Sequence, residues 1–292
     1  MRTVIDLVAC YWTVSGPVEI HYGREWSTFD WRDRCDQAAR TGFKGLGLWH
    51  ADIQHQLEGG RSLREMQQIF AAAGLRHLEL EFLADFFLAP GTPERAASDA
   101  TKTLLFEAAS VFGAHHIKVG NIPGAVCDPD RLAEAFAQLC SEASEHTDAK
   151  VAYEFMPFDV NVNTLDAALA LLRDAGEPRN GGLVIDTWHM AKLGISPEDL
   201  RRVRPDQLAW VELSDGHFHD LDDAIYEVTS DRNLPGEGEF DIHGYVDAFQ
   251  SIGYPGPWGV EVLSAALREL PIAEEFKRAY ETTSAQFSAG VA

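Results

Sequence analysis

Four short segments in the second half of the chain share one pattern, and that pattern restricts the fold more than any other feature of the sequence. They are Val151-Ala-Tyr-Glu154-Phe-Met-Pro157, Leu183-Val-Ile-Asp186-Thr-Trp-His189, Trp210-Val-Glu212-Leu-Ser-Asp215 and Trp258-Gly-Val-Glu261-Val-Leu263. Each is a short apolar run with one carboxylate near its end. Side chains alternate between the two faces of a strand. Tyr153 and Phe155 therefore oppose Glu154, and Leu183 and Ile185 oppose Asp186. In the same way Val211 and Leu213 oppose Glu212, and Val260 and Val262 oppose Glu261. The four strands present apolar residues to covering helices and an acid to a common interior. One buried acid is commonly half of an ion pair. Four of them, each late in its strand, are better explained by a cation held among them.

The rest of the chain alternates strand and helix signals. Strands are predicted at 4–8, 43–49, 75–82, 115–120, 151–155, 183–186, 208–213 and 258–263, and helices at 31–41, 61–73, 93–112, 129–145, 164–175, 197–203 and 265–283. Asp30 is placed to cap the first helix and Gly42 to end it. Eight strand–helix units in one series fit a single (β/α)8 TIM barrel spanning residues 1–292. A doubly wound sheet is the alternative, but no glycine-rich phosphate turn follows the first strand. Residues 214–257 form an unusually long connection between the last two strands, with one helix expected near 241–252. A loop of this length in a compact domain is often functional. Its glycine-rich, charged piece, 232–239, is a candidate lid over the barrel mouth.

Composition excludes several classes of function. The formal charge of −22 argues against a nucleic-acid partner, which needs Lys and Arg in excess, and against an anionic membrane surface. No apolar run reaches the roughly 18 residues of a membrane span, and Asp6 interrupts any signal-peptide core. The cysteines, Cys10, Cys35, Cys127 and Cys140, form no CxxC pair and read as free thiols of a cytoplasmic protein. A homo-oligomer is compatible with these limits.

In a barrel of this kind the C-terminal strand ends meet at the mouth, so Glu154, Asp186, Glu212 and Glu261 would ring one side of it. Ligation by oxygen alone suits one hard divalent ion, Mn²⁺ first, with Mg²⁺ or Co²⁺ as alternatives. Such an ion polarises a carbonyl and eases removal of the proton on the next carbon, and a carboxylate can act as the base. This first step is common to ketose epimerisation, aldose–ketose isomerisation and dehydration β to a carbonyl. Glu154 and Glu261 are the best acid/base pair, and Asp186 is primarily a ligand.

The same segments, with the later Leu234-Pro-Gly-Glu-Gly-Glu-Phe-Asp241, resemble the xylose-isomerase-like (β/α)8 family of sugar isomerases and epimerases. Its members include D-tagatose 3-epimerase-like enzymes, inosose dehydratases and 3-dehydroshikimate dehydratases. The resemblance runs from about Val4 to about Leu270 and is most specific from Tyr153 onward. It implies metal ligands at Glu154, Asp186, position 212 and Glu261, and a small polyhydroxy carbonyl compound as substrate. It also implies substrate contacts from His189, three residues after the strand-six Asp, and from Arg232. Inward parity adds Lys118 and His116 on strand four as residues facing the site, with an ion pair from Lys118 to Glu79 or Glu81 as the alternative, and His50 and His217 follow strand ends. Trp12, Trp49, Phe86 and Phe158 also fall near strand ends, where aromatics wall sugar pockets.

Position 212 departs from the family, which has a neutral His or Gln there. Four ionised carboxylates around a dication leave about two excess negative charges, which is costly in a partly dry site. Three arrangements are open. Glu212 is a ligand balanced by Lys118, Arg232 or a protonated His, or it binds in its neutral form, or it turns away. Its parity favours ligation. Two other classes remain as alternatives. A DNA-repair endonuclease on this fold would need a histidine-rich zinc cluster and a basic face, which this chain lacks. A non-catalytic barrel serving as a binding subunit is kept open by the Glu at 212.

Overall fold

Strands that carry acids on one face and branched apolar residues on the other need a closed wall around the acids. In the computed structural model, which describes residues 5–20, 23–121, 124–219 and 221–287, eight parallel strands close into a barrel in sequence order. They are β1 (Leu7–Ala9), β2 (Gly45–Trp49), β3 (His77–Leu83), β4 (His116–Gly120), β5 (Lys150–Glu154), β6 (Gly181–Asp186), β7 (Leu208–Leu213) and β8 (Trp258–Val260). Leu7, Val8 and Ala9 pair with Trp258, Gly259 and Val260 to close the ring. Val4, where the first strand was expected to begin, lies outside the described residues.

The helices are α1 (Trp31–Thr41), α2 (His50–Glu58), α3 (Leu63–Ala72), α4 (Pro93–Phe112), α5 (Pro129–His146), α6 (Leu165–Asp174), α7 (Thr187–Lys192), α8 (Ala224–Ser230), α9 (Ile242–Ser251), α10 (Ala265–Arg268) and α11 (Ile272–Gln286). Local chemistry sets many of their ends. Asp30 accepts the Arg32 amide at 2.8 Å to start α1, and Gly42, at φ 118°, ends it in a conformation that glycine tolerates. No helix of the described residues is long and apolar enough to cross a membrane. The four cysteines are free.

The alternation seen in the sequence separates two of the apolar regions of the molecule, and a third, which includes Trp12, Trp49, Phe82 and Met156, walls the mouth. Val151, Tyr153, Leu183, Ile185, Val211, Leu213, Val260 and Val262 join the core between barrel and helices. Val8, Cys10, Ala152, Val184, Ala209 and Trp210 form a second cluster inside the barrel. Trp210 fills the interior beneath Glu212, its ring 4.5 Å from that of His116. Room for it depends on Gly259. A Cβ there would meet Trp210 Nε1 at 2.8 Å, Cys10 Sγ at 2.9 Å and Glu212 Cγ at 3.0 Å. Gly259→Ala is therefore expected to destabilise the fold by about 1–3 kcal/mol through overpacking. The check is the midpoint of chemical denaturation, and an unchanged midpoint would show that the interior relaxes freely around the added methyl.

Three helices were not foreseen: α2, α7 and α8. The first two start directly on the residues that end β2 and β6, leaving no loop to announce them. The helix expected at 197–203 is a 3₁₀ turn, Asp199–Arg202. The closing helix is broken into α10 and α11 around Pro271, as proline requires. β8 stops at Val260, so Glu261 lies one residue past the strand, yet its amide still donates to Leu213 O at 3.2 Å.

Candidate active site

Glu154 and Asp186 are the last residues of β5 and β6, Glu212 is the penultimate residue of β7, and Glu261 follows β8. The register sets Asp186 directly beside Glu212. All four side chains are buried, and one oxygen from each lies within 4.8 Å of the others. The strand parity thus brings the four acids together, Glu212 included. Glu212 does not turn away. Its Oε1 accepts Trp210 Nε1 at 3.1 Å and lies 2.7 Å from Lys118 Nζ.

Lys118, 1% exposed, stands among the acids rather than among substrate-facing groups. Its ammonium is 2.6 Å from Glu261, 2.7 Å from Glu212, 3.1 Å from Glu81, 3.3 Å from Glu79 and 3.9 Å from Glu154. Of the two readings of Lys118, the geometry matches the ion pair with Glu79 and Glu81, and the expectation that it reaches substrate is corrected, because five carboxylates surround the ammonium and Lys118 does not line the cavity. Arg232 is the second fixed cation. Its Nη1 is 2.7 Å from Asp186 Oδ2 and 3.8 Å from Glu261 Oε2, its Nε donates to Val228 O at 3.1 Å, and its guanidinium lies over the Trp188 ring at 4.7 Å. His189 Nε2 is 3.3 Å from Glu154 Oε1 and 3.8 Å from Asp186 Oδ2.

Burial dominates the electrostatics. It pushes Glu154 up to about 7 and Glu212 and Glu81 well above the usual carboxylate range. Asp186 and Glu79 are raised for the same reason. For Glu261 burial also pulls upward, but the adjacent Lys118 and Arg232 charges outweigh it and hold the carboxyl below its ordinary value. Burial draws His189 down to about 4, so its imidazole is neutral at neutral pH.

Above the acids lies a cavity of about 430 Å³, within the roughly 300–1,000 Å³ typical of small-molecule sites. Its polar floor includes Glu81, Glu154, His189, Arg232 and Glu261, and its walls include Trp12, Trp49, Phe82, Met156 and Phe158. Ala224, Ile225 and Val228 of α8 complete the lining on one side. Phe86 packs instead in the outer core. His50 and His217 are absent from the lining. The Nδ1 of His50 accepts the Phe82 amide at 3.4 Å, and its ring packs against Trp49. His217 stacks on His219 at 5.2 Å and lies 3.7 Å from Glu239 in a half-exposed group on the outer loop. His116 is buried in the barrel interior beside Trp210.

The glycine-rich piece at 232–239 is clamped by a residue that the sequence reading passed over. Asp215, fully buried, accepts the amides of Gly216 at 2.8 Å, Gly236 at 2.9 Å, Gly238 at 3.0 Å and Phe240 at 3.0 Å. Its backbone also exchanges hydrogen bonds with Asn233, at 2.9 and 3.0 Å. The signal was present in the sequence, as an Asp just past a strand and glycines some twenty residues later, but nothing local links the two.

The four-acid ring fits a divalent cation. Glu154 Oε1 and Glu212 Oε2 are buried without a hydrogen-bond partner, and a buried carboxylate oxygen is costly unless a donor or a cation satisfies it. The raised carboxyl pKa values have the same origin, which is excess negative charge in a dry place.

The profile of the family described as "Xylose isomerase-like TIM barrel" matches residues 35–282. A 3-dehydroshikimate dehydratase of Pseudomonas aeruginosa is 26% identical over 243 residues, covering 82% of this chain and 37% of that protein. The chain therefore spans well under half the length of that relative. An inosose isomerase of Bacillus velezensis is 27% identical over 157 residues, covering 53% of this chain and 54% of that one. Among solved structures, the IOLI protein with a bound zinc atom has the same fold, with a TM-score of 0.80 at 18% identity over 98% of this chain and 99% of that one. With a closed eight-strand barrel, acids at the ends of β5 to β8 and a profile match over most of its length, the chain belongs to the xylose isomerase-like TIM barrel family.

Proposed function

We propose that the chain is a divalent-metal-dependent enzyme of the sugar isomerase and epimerase type. It removes the proton next to the carbonyl of a small polyhydroxy ketone. The observation that carries this reading is the ring of Glu154, Asp186, Glu212 and Glu261, closed to within 4.8 Å at the base of a cavity with largely aromatic and aliphatic walls. These four residues would hold the ion. Four carboxylate donors favour a hard cation, Mn²⁺ before Mg²⁺ or Co²⁺, over zinc. When bound, such an ion polarises a carbonyl and renders the neighbouring C–H more acidic.

The chain's own groups do the rest. Glu154, which burial pushes up to about 7 before any cation is bound, takes and returns the proton on one face of the reacting carbon. Glu261, held ionised by Lys118 and Arg232, serves the other face of the reacting carbon. Two carboxyls whose surroundings set them apart suit opposite halves of a proton transfer. The neutral imidazole of His189, its Nε2 3.3 Å from Glu154 Oε1, faces the substrate from the cavity floor. Arg232 offers its remaining guanidinium edge to substrate oxygens. The aromatic walls keep water from the reacting carbon. Because Asp215 holds the glycine-rich piece in place, we read α8 as the lid. It lines one side of the cavity through Ala224, Ile225, Val228 and Thr229, and its Ile225 is 55% exposed.

The match to a 3-dehydroshikimate dehydratase over 82% of this chain favours a second outcome of the same first step, in which a β-hydroxyl leaves as water. The test begins with elemental analysis of the purified protein before and after chelation and refilling with Mn²⁺, Mg²⁺, Co²⁺ or Zn²⁺. About one ion per chain, lost in Glu154→Ala, is the expected result. The refilled protein is then incubated in D₂O with ketoses, inososes and dehydroshikimate. Deuterium entering recovered substrate or its epimer marks the isomerase outcome, and an unsaturated product marks the dehydratase. If none of these ions binds at this site, the metal-dependent reading is overturned and a non-catalytic barrel takes its place.

A further inference from the structure

The acids beneath the cavity outnumber what one ion needs. Glu79 and Glu81 project from β3 into the same interior, so six carboxylates with Glu154, Asp186, Glu212 and Glu261 face two fixed cations, Lys118 and Arg232. Lys118 divides its contacts between the two sets. On one side are Glu79 and Glu81, at 3.3 and 3.1 Å. On the other are Oε1 of Glu212 and Oε1 of Glu261, at 2.7 and 2.6 Å. The opposite oxygen of Glu212 is buried with no hydrogen-bond partner, and that of Glu261 lies 3.8 Å from Arg232. Two carboxylates thus meet the ammonium through one oxygen and keep the other off it.

We propose that Lys118 is a resident cation that shares Glu212 and Glu261 with the exchangeable metal ion and thereby sets how tightly that ion binds. The inference rests on the metal-dependent reading above. The ammonium is tethered and cannot leave, so the ring keeps a positive centre whether or not an ion is present. It also draws charge from two of the four ligands and repels a second cation across a dry gap, where such interactions are strong. Glu79 and Glu81 temper this by occupying the ammonium from the other side. Lys118 then acts on the ion through the ligands and does not touch substrate. It also accounts for the Glu at 212, since a carboxylate there gives the lysine a partner that a neutral side chain would not.

The test is Mn²⁺ affinity, read from the electron paramagnetic resonance signal of free Mn²⁺ titrated into chelator-stripped protein. Lys118→Met is expected to bind Mn²⁺ at least about ten-fold more tightly than the unaltered chain, since removing the ammonium ends both competition and repulsion. Glu79→Gln/Glu81→Gln is expected to move affinity the other way, because the ammonium is left entirely to Glu212 and Glu261. A lysine with a merely structural role would give weaker or unchanged binding on removal. If Lys118→Met does not fold, Lys118→Met/Glu79→Gln removes one charge of each sign, and its affinity is compared with that of Glu79→Gln alone. Unchanged or weaker binding on loss of the lysine overturns the proposal while leaving the metal reading intact. Binding in Lys118→Met but not in the unaltered chain would show that the ammonium replaces the ion instead of sharing its ligands, and overturns both readings. Binding in neither overturns both.

Discussion

Glu154→Gln and Glu261→Gln are each expected to lower kcat by about a thousand-fold or more, since each removes a proton-transferring group along with an anionic ligand. Glutamine keeps the volume of the side chain, so neither change opens a cavity. At position 154 the neutral amide remains within reach of His189, whose Nε2 lies 3.3 Å from Oε1, but it can no longer accept a proton. At position 261 the substitution also removes the negative charge nearest Lys118, at 2.6 Å. The check is the turnover rate of the metal-loaded variants on whichever substrate the D₂O screen identifies, with circular dichroism to show that the barrel is intact. Near-normal turnover in both variants would remove these residues from the chemistry.

The second large effect belongs to a residue outside the ring. Asp215→Ala is expected to destabilise the protein by about 3 kcal/mol or more, because four backbone amides lose one charged acceptor at the same time. The same change releases the segment that carries Arg232, whose amide donates to Leu263 O at 3.1 Å and whose guanidinium holds Asp186. Activity should therefore fall together with stability. Asp215→Asn keeps one carbonyl acceptor and should fall between the two. The measurement is the denaturation midpoint of the three proteins. Equal midpoints would show that the glycine-rich segment holds its shape by other means.

The strand alternation in the sequence was enough to identify the barrel and its ring of acids, because parity is a local property that packing cannot reverse without exposing Val151, Ile185 or Val211. The bounds of α1 were legible for the same reason, as Asp30 and Gly42 act on their immediate neighbours. Height within the barrel was not legible. Parity says that Lys118 points inward but not how far along the axis its ammonium lies. That depends on the stagger between strands, and here the stagger places the ammonium level with five carboxylates. His50 and His217 do not line the cavity, for a related reason. Both follow strand ends, but the chain turns at once into α2 in the first case and runs onto the outer loop in the second. The Asp215 clamp joins residues more than twenty positions apart through backbone amides, which leave no mark on side-chain patterns.

Asp186 does two jobs with its two oxygens. Oδ1 accepts the Trp188 amide at 2.7 Å and caps α7, while Oδ2 faces the ring and Arg232. In a lineage that had abandoned catalysis, drift would not erase this residue freely, because the helix start needs an oxygen there regardless of any reaction. Asn, Ser or Thr could take over the cap, but none would restore the charge. An acid surviving at this position is therefore weak testimony to past or present activity, whereas Glu154, Glu212 and Glu261 cap no helix.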